Sequence, residues 1–271
     1  MANHKWPIIT LLTDFGLKDS YVASIKGVIL SINPHCTQVD ITHQVNSHDI
    51  KEGAFILGQV YSNFPKGTIH LSIVDPGVGS ARKPILIVTK NYFFVGPDNG
   101  LFSIALRRES VKQVVVLTNQ KFFLPKISST FHGRDIFAPV AAHLSLGRKP
   151  ESFGPSIKSW YEITFPDPAK KQGNLIGEIV HVDAFGNLVS NIDRKELLQF
   201  SKGCSISLRI GRKTIHGLKR GYWDAMKREP IALIGSGGFL EISVREGNAQ
   251  EALKIKRGDP IIVDCRVRNA P

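Results

Sequence analysis

Short apolar runs separated by polar turns recur along the chain, and helical spacing joins them mainly in the first half. Residues 8–12 make an apolar run of strand length. Over 21–32, Tyr21, Ile25, Val28, Ile29 and Ile32 recur at turn spacing, which puts them on one helix face, and Pro34 stands just beyond as a stop. Asp49 opens a second helical stretch in which Ile50, Ala54, Leu57 and Val60 repeat that spacing, until Asn63-Phe64-Pro65-Lys66-Gly67 breaks it. Strands are predicted at 68–74, 85–89, 92–95 and 114–117, the second and third joined by Lys90-Asn91, and a helix at 137–146 is ended by Gly147. Alternating strands and helices are the pattern of crossover helices linking a mostly parallel sheet.

The texture changes after Pro150. The segment 165–174 has the Pro, Lys and Gly content of a linker. Beyond it the runs are short and strand-like, at 176–182, 205–210, 231–234, 239–244 and 260–267, with helical character only at 195–200. The expected fold class is α/β: an amino-terminal α/β domain over 1–165 with a mostly parallel sheet, a linker over 166–173, and a smaller, mostly β module over 174–271, a barrel or a sandwich.

Hydrophobic residues at 42% and charged residues at 21% exclude a mostly disordered chain. The 35 Lys and Arg exceed the 23 Asp and Glu, for a formal charge of +12. The basic residues are dispersed in pairs such as Arg107-Arg108, Lys170-Lys171 and Lys219-Arg220, which reads as a solvated surface rather than a nucleic-acid arm. Cys36, Cys204 and Cys265 are odd in number, far apart and without a CxxC pair, so neither a disulfide framework nor a cysteine zinc site is expected, and a reducing, cytoplasmic setting fits. The run at 8–12 is too short for a secretory signal or a membrane span.

Candidate chemistry collects on aspartates. Asp14, Asp75, Asp98 and Asp183 each stand just after an apolar run. In an open α/β sheet the carboxyl ends of strands line the ligand crevice, although Asp is also common in plain turns. Asp75-Pro76-Gly77-Val78-Gly79 and Pro97-Asp98-Asn99-Gly100 add glycines that let backbone approach a ligand, or simply turn the chain. Neither loop is a Walker or dinucleotide fingerprint. His132-Gly133-Arg134-Asp135 has the look of a kinase catalytic loop, but no glycine-rich loop precedes it and no matching DFG follows. His132 would serve as acid or base if it met a carboxylate. In the second module, Asp183-Ala184-Phe185-Gly186-Asn187 and Gly235-Ser236-Gly237-Gly238-Phe239-Leu240-Glu241 are either β-turns or holders of a polar ligand end. Two other readings compete: a metal-dependent phosphoesterase with Asp14, Asp75, Asp98 and His132 as ligands, and a nucleic-acid-binding module that uses the basic surface and a barrel-like second domain.

Together, Thr13-Asp14-Phe15-Gly16, the loops that begin at Asp75 and Pro97, Phe131-His132-Gly133-Arg134-Asp135, the turn from Asp183 to Asn187 and the run from Gly235 to Ile242 resemble the S-adenosyl-methionine (SAM) hydroxide adenosyltransferases in order and spacing over nearly the whole chain. The resemblance implies an amino-terminal α/β domain, a carboxy-terminal β-barrel, and homotrimers with substrate between the large domain of one subunit and the small domain of its neighbour. It implies hydrolysis of SAM to adenosine and methionine, with no cofactor, no metal, no nucleic acid and no membrane. Asp75, Arg82 and His132 would position and activate water, a combination that the related halide-using enzymes lack. Asp14 would bind the ribose hydroxyls. Asn187 with Phe185 would hold adenine or the amino-acid end, Asp183, Ser236 and Glu241 would meet the methionine end, and Val244 would join them as a substrate contact.

Overall fold

In the computed structural model, which describes residues 6–202 and 204–266, the first apolar run becomes strand β1 (Ile8–Thr13). The chain divides between Thr164 and Phe165 into two units. In the first, α1 (Tyr21–Ile32) follows β1 and leads to β2 (Thr37–Thr42), and α2 (Ile50–Val60) leads to β3 (Ile69–Ile73). The Asp49 carboxylate caps α2 by accepting from the Glu52 N–H at 3.0 Å. There follow β4 (Pro84–Thr89), β5 (Phe93–Pro97), α3 (Ser103–Leu106) and β6 (Val111–Val116). A π-turn (Gly133–Phe137), α4 (Ala138–Ser145) and the short β7 (Ser156–Ile157) complete the unit.

These strands form one sheet in the order β2-β1-β3-β5-β4-β6-β7. β1 runs parallel to β2 and β3, and β3 parallel to β5, whereas β4 is antiparallel to β5 and β6, and β6 to β7. The sheet is therefore mixed rather than mostly parallel. The cause is the connection at Lys90 and Asn91, which is far too short for a crossover and can only return the chain as a hairpin. Both faces are covered. Ile9, Leu11, Leu71 and Ile73 pack with Ile25 and Ile29 of α1 and with α4, while Leu12 packs with Leu57 of α2 and Ala105 of α3 on the other side.

The second unit is an antiparallel sheet. β8 (Ala169–Lys171) lies inside the segment expected to be a linker and pairs with β9 (Asn174–Val182). The remaining elements are β10 (Leu188–Asp193), α5 (Arg194–Ser201), β11 (Ser205–Ile210), β12 (Lys213–His216), β13 (Pro230–Ile234), β14 (Phe239–Val244), α6 (Ala249–Leu253) and β15 (Pro260–Arg266). Val267, the end of the expected strand 260–267, lies outside the described residues. The order is β12-β11-β15-β9-β10-β14-β13, and its ends approach one another, with the Lys219 N–H donating to the Ala232 carbonyl at 2.8 Å. The result is a nearly closed barrel around Leu175, Leu188, Leu208, Ile242 and Val263.

One expectation about the cysteines is overturned. Cys204 and Cys265, 61 residues apart, form a disulfide with Cα atoms 5.7 Å apart, because antiparallel pairing of β11 and β15 sets Ile206 opposite Cys265. Cys36 is free.

Candidate active site

The strand order places two of the sequence-predicted carboxylates together. β1 and β3 are parallel neighbours with Thr13 opposite Ile73, so Asp14 and Asp75 leave the same edge of the sheet. From that edge the chain departs in opposite directions, through α1 to β2 on one side and toward β4 and β5 on the other. This is a topological switch point, where α/β sheets open a crevice.

The loop 74–83 folds back on itself. The Val78 N–H donates to the Asp75 carbonyl (3.2 Å) and the Ser80 N–H to that of Gly77 (3.0 Å). Gly79 adopts φ +75°, and a Cβ there would lie 2.3 Å from the Ser129 carbonyl oxygen, so this position admits only glycine without displacing the neighbouring wall. The turns return Arg82 to Asp75. Arg82 Nε donates to Asp75 Oδ1 and Oδ2 at 2.9 and 3.0 Å, Nη2 also donates to Oδ2, and the same Nη2 lies 2.9 Å from His132 Nδ1. The two charged side chains are 9% and 6% exposed. The structure thus assembles Asp75, Arg82 and His132, which sequence alone could not bring together.

Local structure fixes His132 as well. It precedes the π-turn, whose Phe137 ring lies 5.1 Å beneath the Arg82 guanidinium. Guanidinium nitrogens only donate, so His132 Nδ1 accepts, and the neutral ring carries its proton on Nε2. Burial and the neighbouring Arg82 charge hold the His132 pKa below its ordinary value, against a smaller opposing pull from Asp75 and Asp135.

A cavity of about 310 Å³ opens beside this group, walled by Phe15, Tyr21, Phe131 and Arg134 as well as Asp75 and His132. The three rings meet edge-on or tilted, with centroids 5.2–5.9 Å apart. Arg134 lies over Phe131 at 5.0 Å and pairs with the fully buried Asp135 at 2.6 Å. Sequence reasoning placed Tyr21 on a helix face and gave Phe131 and Arg134 no role. Their signal was position: Phe131 and Arg134 stand inside the motif around His132, and Tyr21 opens the helix that follows Thr13-Asp14-Phe15-Gly16.

Asp14 Oδ2 accepts from the His48 N–H at 2.9 Å, and among the described residues nothing bonds its Oδ1. Asp98 is a turn residue: its Oδ1 accepts from the Tyr161 N–H (2.7 Å), while Asn99 Nδ2 donates to the Val74 carbonyl (2.8 Å) and braces the loop that starts there. The metal set of Asp14, Asp75, Asp98 and His132 does not form. Among the described residues no group of three or more His, Cys, Asp or Glu stands where it would hold a metal ion.

In the second unit, Asp183 organises its own turn. Its Oδ1 accepts from the N–H groups of Phe185 and Asn187 and its Oδ2 from Asn187 Nδ2, all at 2.9 Å. Gly186 at φ +81° completes the turn, leaving Asn187 buried and Phe185 76% exposed. Glu241 is buried, with Oε1 accepting from the Tyr222 hydroxyl (2.8 Å) and the Ser243 hydroxyl (2.7 Å). Burial and this carboxylate push the Tyr222 pKa up to about 12. Gly235 lies against this carboxylate: a Cβ there would stand 2.3 Å from Glu241 Oε2 and would displace it.

The other two expected contacts lie on β14 and in the turn before it. Along β14, Leu240, Ile242 and Val244 face the barrel core while Glu241 and Ser243, also buried, lie on the opposite face, so Val244 packs the interior on the other side of the strand from Glu241. Exposed Ser236 sits in the turn before Phe239, which pairs with Asp193, whereas Leu188 pairs with Ile242. The Ser236 and Asn187 turns therefore flank opposite ends of β14.

The SAM hydroxide adenosyltransferase N-terminal domain matches residues 9–154 and the C-terminal domain of the same family matches 177–262. The chain is 34% identical to the (R)-S-adenosyl-L-methionine hydrolase of Thermus thermophilus, over 93% of this chain and 98% of that one. Similarity to the fluorinase of an Actinoplanes species is lower, 27% over 95% of this chain and 97% of the relative. Among solved structures, an uncharacterized conserved protein from Thermotoga maritima superimposes with a TM-score of 0.90 at 37% identity, covering 94% of this chain and 99% of its own. The chain belongs to the SAM hydroxide adenosyltransferase family.

Proposed function

We propose that this protein hydrolyses S-adenosyl-L-methionine to adenosine and L-methionine. The observation that carries the reading is the single guanidinium, Arg82, that holds Asp75 and His132 together at the wall of a cavity. Water attacks the ribose C5′ in line with the sulfonium. The new O–C5′ bond forms as the C5′–S bond breaks, and methionine leaves as a neutral thioether that takes the bonding pair. No metal is needed to draw off the leaving group.

The chain's task is aim and proton removal. His132 donates from Nε2 and orients the water. Asp75 Oδ1 keeps a lone pair beyond its bond to Arg82 and takes the proton. Positioning of this kind supplies roughly 7–11 kcal/mol in favourable cases, and a placed base adds ~10²–10⁴-fold. Asp14 accepts the ribose hydroxyls on its open oxygen. The protein acts as a homotrimer in which a neighbouring subunit's second unit completes the site, offering the exposed Phe185 and the Asp183 and Asn187 turn to adenine and the methionine end.

The test is incubation of purified protein with SAM, with and without chelator and chloride, resolving adenosine from 5′-chloro-5′-deoxyadenosine. Adenosine that carries oxygen from labelled water, insensitive to chelator, is the expected product. No adenosine above the uncatalysed background refutes the proposal.

A further inference from the structure

A second buried polar network lies beneath the loop that carries Asp14. His43, just beyond β2, is 4% exposed, and its Nδ1 lies 2.9 Å from the hydroxyl of Thr13, which is fully buried. Thr13 Oγ1 also accepts from the Phe15 N–H at 3.3 Å; with the ring proton on Nε2, the nitrogen that faces the Asp40 carboxylate, the hydroxyl donates to His43 Nδ1. That Nε2 is 3.1 Å from Asp40 Oδ1, off the axis of a well-aligned hydrogen bond, and Asp40 also binds Lys26 at 2.6 Å. Partial burial works against the Asp40 charge, but Lys26 and His43 outweigh it and hold its pKa below the ordinary value.

The backbone closes the same clasp from both sides. The Gly16 N–H donates to the His43 carbonyl at 2.7 Å and the Val45 N–H to the Thr13 carbonyl at 3.4 Å. Farther along the strap, Glu52 Oε2 accepts from the Asn46 N–H (2.7 Å) and Asp14 Oδ2 from the His48 N–H (2.9 Å). Residues 43–48 thus hold 13–16 at both of its ends, and among the described residues His43 is the strap side chain that bonds the last residue of β1. Gly16 turns at φ +66° where its N–H meets the His43 carbonyl.

We infer that His43 is a positioning residue that sets the Asp14 carboxylate for the ribose hydroxyls, acting through Thr13 from an anchor on Asp40. This rests on the reading of Asp14 as the ribose ligand. His43 itself touches no substrate. Without it Thr13 turns away, the 13–16 turn loosens, and Asp14 meets the ribose in many orientations instead of one.

The experiment measures binding of adenosine and of 2′,3′-dideoxyadenosine to the full chain by calorimetry. Two hydrogen bonds to a carboxylate favour adenosine by roughly 10-fold or more in the wild type, and Asp14→Ala removes that preference. His43→Ala and Thr13→Val are expected to cut it by at least ~5-fold, to raise KM for SAM more than they lower kcat, and to add nothing in an Asp14→Ala background. Thr13→Ser keeps the hydroxyl and restores the preference. If Asp14→Ala loses the preference while His43→Ala and Thr13→Val keep it, the inference is wrong and the ribose reading survives. If Asp14→Ala keeps it, both fall. Should His43→Ala fail to fold, the Thr13 pair, with Asp40→Asn as a surface variant, decides alone.

Discussion

Arg82→Lys separates geometry from charge at the proposed site. Arginine makes three contacts to Asp75 and one to His132 from a rigid planar fork. Lysine keeps the positive charge but ends in one ammonium on a flexible stem, which cannot span a carboxylate and an imidazole at once. Asp75 is 6% exposed, so solvent replaces the missing donors poorly. Hydrogen bonds to charged groups are worth about 1.5–3 kcal/mol each, so losing two places the variant about 3–6 kcal/mol from the productive arrangement, or ~10²–10⁴ in rate. Arg82→Ala is the weaker probe, because leaving a buried carboxylate unpaired costs about 3–5 kcal/mol of stability as well. The assay is the initial rate of adenosine formation at saturating SAM, with binding measured separately. The expected result is a kcat at least ~100-fold lower with affinity changed less than ~5-fold. An Arg82→Lys enzyme that keeps a third or more of wild-type kcat refutes the argument that the fork aims the water.

Because burial and Arg82 depress the His132 pKa, the acid limb of kcat/KM should have its midpoint below 6.5, and a pH–rate profile with a midpoint above that value contradicts the neutral ring. His70, fully buried with Nδ1 2.8 Å from Thr10 Oγ1, has its pKa pushed down to about 3 by burial. The unfolded chain then binds one more proton between about pH 6.5 and 3, so stability is lost as pH falls through that window, by about 1.4 kcal/mol per unit; urea midpoints at pH 7 and 4.5 should converge in His70→Asn, and equal slopes in both proteins refute it. Reducing the bond between Cys204 and Cys265, which closes a 61-residue loop, should cost on the order of 4 kcal/mol and lower Tm, whereas a native protein that titrates three free thiols has no such bond.

The elements that periodicity found are those with a sustained apolar face, such as α1 and α2, or a dense run, such as β3 and β4. β2 escaped because it is an edge strand with only Val39 and Ile41 apolar, too thin a signal beside four polar neighbours. β10 escaped for a different reason: its buried Ser190 looks like a turn residue until its hydroxyl is seen donating to the Leu240 carbonyl at 2.8 Å. The mixed sheet could have been read from Lys90-Asn91, since so short a connection forbids a crossover. The meeting of Asp75 with His132, 57 residues later, and the bond between Cys204 and Cys265 depend on strand order, which no local pattern encodes. Motif order, not spacing physics, is what singled out Arg82.

Charge raises a separate question, because a chain of formal charge +12 must take up a substrate that is itself cationic. Asp75 does not resolve it. Its carboxylate is already matched by Arg82, so that pair offers the sulfonium little net field. Asp14 differs, since among the described residues it has a backbone N–H for a partner and no ion pair. Screening confines surface charges to about 8–10 Å at moderate salt, so a carboxylate within the site outweighs lysines and arginines spread over the exterior. Division of labour follows from the switch point. In the proposed mechanism the aspartate after β1 supplies negative charge that is still free to bind, while the aspartate after β3, paired with Arg82, aims the water and takes its proton. Attraction and aim are then carried by neighbouring strands of one sheet, and a substitution at either should disturb one without abolishing the other.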